Sequence, residues 1–252
     1  MNETVQRVRV YIDGFNFYYA AFVDGTFGRW KWLDLVAFSR CLVPSHHVDH
    51  VRYFTAQLKP TPRSPRAHIR QGIYLNALRA QPRLSVHLGT FSKHAVQMPL
   101  APPPKTGCED GVVYLASRDL DLDGDNAQPT KAFVVKTEEN GSDVNLATYL
   151  LRDGFKGLYD TAVVVSDDSD LLEPVRLVQR ELGREVVVAM VPRKDKGKRQ
   201  HRGSVFDGKV KFVREVRQAY LMDSQLPLTI EGKHGRLIQR PPEWGPVGVE
   251  RP

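Results

Sequence analysis

Short, continuous runs of β-branched and aliphatic residues constrain this chain more than any other feature. VRVYIDG (8–14), KAFVVK (131–136), TAVVVS (161–166) and REVVVAM (184–190) are each too short for a helix of ordinary length, and they do not alternate apolar with polar. A strand of that character is buried on both faces. Between the runs lie LDLVAFSRCLV (33–43), stopped by Pro44, a segment from Arg66 to Ala80, SDVNLATYLLRDGF (142–155) and DLLEPVRLVQREL (170–182), stopped by Gly183. These carry apolar residues at helical spacing. HVDHVRYFTAQL (47–58), LSVHLGTF (84–91) and VKFV (210–213) complete the strands. Buried strands alternating with helices predict an α/β fold, a three-layer α/β/α sandwich around a mostly parallel sheet.

The pattern breaks over about 92–130, where APPPKTG (101–107) and RDLDLDGDNAQPT (118–130) are polar and turn-rich around one short apolar piece, GVVYLA. This reads as an insertion, in the form of a hairpin, within one domain spanning 1–222. The Pro- and Gly-rich tail, 223–252, reads as an extension wrapping the surface. No run approaches the length of a membrane span. MNETVQRVRV lacks the apolar core of a signal peptide, and Cys41 and Cys108 make no disulfide framework, so a reducing cytoplasm is the expected location.

In a parallel sheet chemistry gathers at the carboxyl ends of the strands. Asp13 follows the first strand, and Asp167, Asp168 and Asp170 crowd the end of TAVVVS, in SDDSDLLEP. Asp143 opens a helix one residue after Ser142, where an acid also complements the helix dipole. One Asp or Ser would cap the helix after Ser166, so the added charges repel one another without structural return. A hard divalent cation, Mg²⁺ or Mn²⁺, relieves that repulsion. Asp167 is expected to point away from its neighbour, as adjacent side chains in an extended turn do.

Net charge is +7, and the positive residues are clustered. RKDKGKRQHR (193–202) holds Arg193, Lys194, Lys196, Lys198, Arg199 and Arg202 against one Asp, and KPTPRSPRAHIR (59–70) holds four cations, Arg63 and Arg66 among them, with no acid. Two such runs beside an acidic cluster point to nucleic acid.

IDGFN (12–16), KTEENGSDVNLATYLL (136–151) and YDTAVVVSDDSDLLEPVRLVQRELG (159–183) resemble, in order and spacing, the three signature blocks of the NYN domain. The resemblance runs from about Val8 to Val213, and the tail SQLPLTI…RPPEW (224–244) is similar to the ending of a bacterial branch. It implies a PIN-like fold and a metal-dependent ribonuclease whose acidic site is Asp13, Asp143, Asp168 and Asp170. Asn16, Ser166 and Thr137 would steer waters. Many members read S-G-D-S-D where this chain reads SDDSD, so Asp167 adds a charge beside the implied metal site.

The implied reaction is hydrolysis of an RNA phosphodiester by a water that one or two divalent ions activate. The basic runs would hold flanking phosphates without reading sequence. Single-stranded RNA is the expected partner, with Tyr18, Tyr19 and Trp30 as candidates for stacking on bases or, equally, for core packing. A homo-oligomer is left open. Two rivals stand beside this reading: an RNA-binding module without catalysis, and a DNA nuclease or phosphatase using the same acids. Carboxylates without metal repel phosphate, against the first. A haloacid-type phosphatase wants D-x-D after the first strand, and YIDGFN supplies one Asp.

Two further signals read as bland. Asp119, Asp121, Asp123 and Gly124 imitate a calcium loop, but Thr130 stands where a bidentate Glu is needed. His46, His47 and His50 lack the spacing of a zinc site and are expected at the surface.

Overall fold

The β-branched runs pair side by side. In the computed structural model, which describes residues 6–23, 27–61, 64–99, 131–194, 201–202 and 204–245, β1 (Arg7–Asp13) lies between β2 (His47–Ala56) and β5 (Thr161–Val165), parallel to both. β3 (Leu84–Pro99) joins β2, β6 (Glu185–Met190) joins β5, and β9 (Phe212–Glu215) joins β6, all in parallel. With β4 (Lys131–Asn140) at the far edge, the order across the sheet is β4-β3-β2-β1-β5-β6-β9.

The continuous apolar runs follow from burial on both faces. Val8, Val10 and Ile12 of β1 and Val163 and Val165 of β5 join one core, while Tyr11, Ala162 and Val164 join the other. Each valine so buried contributes roughly 1.5–3 kcal/mol relative to exposure. The first face is covered by α1 (Gly14–Tyr18), α2 (Leu35–Leu42), α3 (Ala67–Ala80) and α6 (Gln218–Met222). α4 (Ser142–Phe155) and α5 (Leu172–Glu181) cover the second through Leu146, Leu150, Val175 and Val178. The fold is therefore the expected three-layer α/β/α sandwich.

The chain divides into two units. The sandwich comprises Met1–Thr90 and Glu139–Pro252, and Phe91–Glu138 forms the second. Among described residues the second unit holds the outer parts of β3 and β4, with Lys136 paired to Glu138 and with Phe133 and Val135 exposed. The apolar pattern predicts a third strand ending at Phe91, whereas β3 continues to Pro99. Ser92 to Met98 bury little, so backbone pairing rather than core packing holds that stretch extended, and hydrophobic pattern could not reveal it. The motif-like loop 118–130 lies outside the described residues.

The segment after β1 is α1 followed by a π-helical turn, Tyr19–Val23. Its aromatic residues have modest helix propensity, and tertiary packing of Phe17, Ala20 and Ala21 sustains it. Gly14 is required sterically. A Cβ there would lie 2.6 Å from the Phe54 carbonyl oxygen and 2.7 Å from the Tyr53 ring.

The C-terminal segment docks on the first face. Trp32 donates its Nε1–H to the Pro227 carbonyl at 2.7 Å, and the Trp244 ring lies 5.7 Å from that of Tyr74. Two short antiparallel pairs complete the backbone, β7 (Arg193–Lys194) with β8 (His201–Arg202) and β10 (Thr229–Glu231) with β11 (Leu237–Gln239). No helix among the described residues is long and apolar enough to cross a membrane.

Candidate metal centre

β1 is the point where the strand order reverses: the chain moves to β2 on one side and later to β5 on the other. Sheets of this kind open a crevice at such a point, beyond the carboxyl ends of the strands. Ile12 is level with Val165, so Asp13 and Ser166 emerge together at that rim. Asp13 is 3% exposed and Ser166 2%.

Hydrogen bonds fix the rim. Asp13 Oδ1 accepts the Asn16 backbone N–H at 3.0 Å and caps α1. Its Oδ2 accepts the Ser166 hydroxyl at 2.9 Å, and the same Ser166 oxygen accepts the Asp168 N–H at 3.1 Å. Asn16 Oδ1 accepts the Asp167 N–H at 3.2 Å, stapling the end of β1 to the end of β5. Asp168 Oδ1 accepts the Asp170 N–H at 3.0 Å and caps a 3-10 turn, Ser169–Leu171, so regular helix begins at Leu172 rather than at Asp170 as expected.

The third acid arrives on α4. Gly141 takes φ +96° immediately before Ser142, a left-handed conformation that favours glycine. Glu139 Oε1 accepts both the Ser142 N–H, at 3.2 Å, and its hydroxyl, at 2.8 Å, which satisfies the start of the helix. Asp143 follows in the first turn.

Asp13, Asp143 and Asp168 each bring one carboxylate oxygen within 4.8 Å of the others. Among the described residues no Lys or Arg forms an ion pair with any of them. Burial first, then repulsion from Asp13, Asp168, Glu139 and Asp170, pushes the Asp143 carboxyl up to about 6. Burial also raises Asp13, against the hydrogen bonds from Asn16 and Ser166. The pocket above them, lined also by Phe15, Asn16, Tyr19 and Glu139, is about 210 Å³.

The structure thus gathers three of the four expected acids. Asp170 is exposed and outside the trio, although it contributes to the repulsion on Asp143. Asp167 faces the other way, as expected, accepting the Ser204 hydroxyl at 2.7 Å and the Val205 N–H at 3.1 Å. Its added charge is therefore spent on a loop anchor rather than at the rim. Thr137 is exposed on β4 in the second unit and does not line the acid pocket. Glu139 is the acidic lining residue absent from the sequence-derived set. Its signal was its place three residues before Ser142, where a carboxylate reaches the first turn of a helix.

Of the cations assigned to RNA, Arg66 is exposed at the start of α3. Arg193, Lys194 and Arg202 stand on β7 and β8, whose side chains are outside the described set; Arg63, Lys196, Lys198 and Arg199 lie outside the described residues altogether. Tyr19 is 51% exposed and Tyr18 half-buried, whereas Trp30 packs against the core with its Nε1 buried and unpartnered. His46 and His47 are exposed; His50 instead meets the Ser85 hydroxyl at 2.9 Å.

Crowding of like charge makes a prediction for the metal-free protein. Asp143→Asn removes one carboxylate from the trio, so Tm in EDTA should rise, by roughly 2–4 °C for each kcal/mol of repulsion relieved. Calorimetry on the two proteins decides it, and an unchanged or lower Tm would show that the three acids do not strain one another.

Residues 125–203 match the family model of the NYN domain. That span includes the second and third motif blocks, and IDGFN lies N-terminal to it. A 6-hydroxy-3-succinoylpyridine 3-monooxygenase from Pseudomonas putida is 27% identical over 261 residues, covering 94% of this chain and 75% of that protein. A crystal structure of a protein of unknown function from Vibrio parahaemolyticus is 13% identical, covers 90% of this chain and 99% of that one, and superposes with a TM-score of 0.44.

Proposed function

We propose that the protein is a divalent-metal-dependent ribonuclease acting on single-stranded RNA. One observation carries the reading: Asp13, Asp143 and Asp168 converge within 4.8 Å. The family match over 125–203 agrees with it.

The donor set fits a hard cation. All three groups are carboxylates, without thiolate or imidazole, which suits Mg²⁺ or Mn²⁺. Asp13 is oriented by the backbone N–H groups of Phe15 and Asn16 and by the Ser166 hydroxyl, and Asp168 keeps its Oδ2 for a ligand. When bound, the ion lowers the pKa of a water and stabilises charge on the phosphoryl oxygens.

The chain's own residues do the positioning. Through one hydroxyl Ser166 holds the Asp13 carboxylate and the Asp168 backbone N–H, so the Asp13 carboxylate does not rotate away as phosphate approaches. Asn16 ties the ends of the two central strands. Glu139 orients the first turn of α4 and thereby Asp143. Cations of 193–202 and Arg66 hold the flanking phosphates and supply a salt-dependent part of affinity.

The deciding assay incubates the protein with labelled single-stranded RNA and DNA in Mn²⁺, Mg²⁺ or EDTA. RNA should be cut with either ion, DNA left intact, and EDTA should stop the reaction. RNA that is bound but uncut with every ion tested would replace this reading with that of a binding module.

A second reading comes from the monooxygenase relative. It is favoured by an aromatic-lined cavity next to the acids, of a size for one ring. A monooxygenase puts one atom of dioxygen into its substrate and releases the other as water, drawing two electrons from a reduced nicotinamide or flavin. Oxygen uptake with a hydroxypyridine substrate and such a reductant, in the absence of RNA cleavage, would establish this reading instead.

A further inference from the structure

Beside the acid pocket, Phe15 and Tyr19 also line a second cavity, of about 130 Å³. Its walls are assembled from distant parts of the sandwich. Tyr18, Tyr19 and Phe22 come from α1 and the π-helical turn, Tyr74 from α3, and Trp244 from the C-terminal segment. The rings brace one another: Tyr18 and Phe22 meet edge to face at 5.6 Å, and Tyr74 and Trp244 at 5.7 Å. A space of this volume walled by apolar and aromatic groups accommodates one six-membered ring. π-Helical turns of this kind recur at functional sites.

The charges around the cavity differ from those at the acids. Lys31 lies over the Tyr18 ring at 5.5 Å, and Arg70 is bound to Glu243 at 3.4 Å by a partly exposed pair that exchanges readily for a better anion. Gln71, the one carboxamide in the lining, is already committed: its oxygen accepts the Leu58 N–H at 2.7 Å and its nitrogen donates to the Ala56 carbonyl at 2.9 Å. The cavity therefore offers aromatic faces and cations, with little left to read a base edge.

We infer that this cavity takes a pyrimidine base of the RNA strand, stacked among the rings, with the adjoining phosphate backbone running from the acids past Phe15 and Tyr19 toward Lys31 and Arg70. This rests on the ribonuclease reading and adds to it a base-holding site and a preference for the smaller ring. Stacking of this kind is tolerant of base identity but not of base size in a closed space.

The test is calorimetric titration of the full chain in EDTA with UMP, AMP and nicotinate, the last being a free heteroaromatic acid. UMP should bind with Kd below about 1 mM and at least about fivefold tighter than AMP. Ala67→Phe, at the half-buried first residue of α3 on the cavity wall, should weaken UMP at least about tenfold, and Lys31→Ala should weaken it without altering binding of uridine. Binding of nicotinate alone, equal or tighter binding of AMP, or indifference of UMP to Ala67→Phe would overturn the inference. RNA cleavage without UMP binding would remove the cavity assignment and leave the nuclease standing. UMP binding without cleavage under any divalent ion would do the reverse.

Discussion

Asp168→Asn is expected to lower RNA cleavage by roughly 100-fold or more while leaving folding and RNA affinity close to wild type. Asparagine keeps the side-chain oxygen that caps the Asp170 N–H and the backbone N–H that reaches Ser166, so the turn survives. What it removes is one of three negative charges aimed at a common point. Asp170→Asn is the instructive partner. It lies outside the trio and is exposed, so its loss should stay within roughly tenfold. Single-turnover cleavage in saturating Mn²⁺ measures both variants. Equal losses would return Asp170 to the centre, and normal cutting by Asp168→Asn would end the site assignment.

The largest stability effect is expected at a residue far from the chemistry. Asp153, fully buried on α4, accepts Arg52 Nε at 2.7 Å, Arg9 Nη1 at 3.0 Å and the Tyr11 hydroxyl at 3.0 Å. Arg9 and Tyr11 belong to β1 and Arg52 to β2, so one carboxylate ties the helix to the two strands beneath it. Asp153→Ala leaves the mostly buried Arg52 without its carboxylate and Arg9 with Asp49 alone, and should cost roughly 3–5 kcal/mol. Because Asp143 stands ten residues away on the same helix, a loosened α4 should also weaken Mn²⁺ binding.

The acid limb of stability tests the same network. Burial alone would raise the Asp153 carboxyl, but hydrogen bonds and charge from Arg52, with Arg9 and Tyr11, outweigh it and hold it below its ordinary value of 3.8. A carboxyl lowered on folding contributes its stability above its unfolded value. That contribution drains away as pH falls through the lower, folded one. Wild-type stability should therefore fall below about pH 4, and the curve for Asp153→Ala should be flatter there. Urea midpoints across pH 3–7 decide the matter. A parallel decline in both proteins would mean the network carries no such weight.

Legibility followed local physics. The valines of β5 and β6 announced buried strands because hydrophobic run length and turn residues are local, and the order of strands and helices then left few arrangements besides a parallel sandwich. Asp13 and Asp168 were recognisable because each ends such a strand. Glu139 escaped because its capping of Ser142 depends on a backbone reversal at Gly141. Asp170 stands outside the trio, in the 3-10 turn that Asp168 caps, and sequence spacing does not distinguish the two acids. Asp153 gave no signal at all. A buried acid looks like a surface one until its arginines, more than 100 positions earlier, are brought beside it.

The sequence by itself determined the alternation of elements, the placing of acids at strand ends and helix starts, and the concentration of positive charge in two runs, since each of these depends on neighbours within a few residues. The tertiary structure alone decided which carboxylates share a point, that Asp167 serves a loop, and that aromatic residues from both ends of the chain enclose a cavity next to the acids. Those outcomes depend on the register of β1 against β5 and on the docking of the C-terminal segment, which bring together groups that the chain keeps far apart.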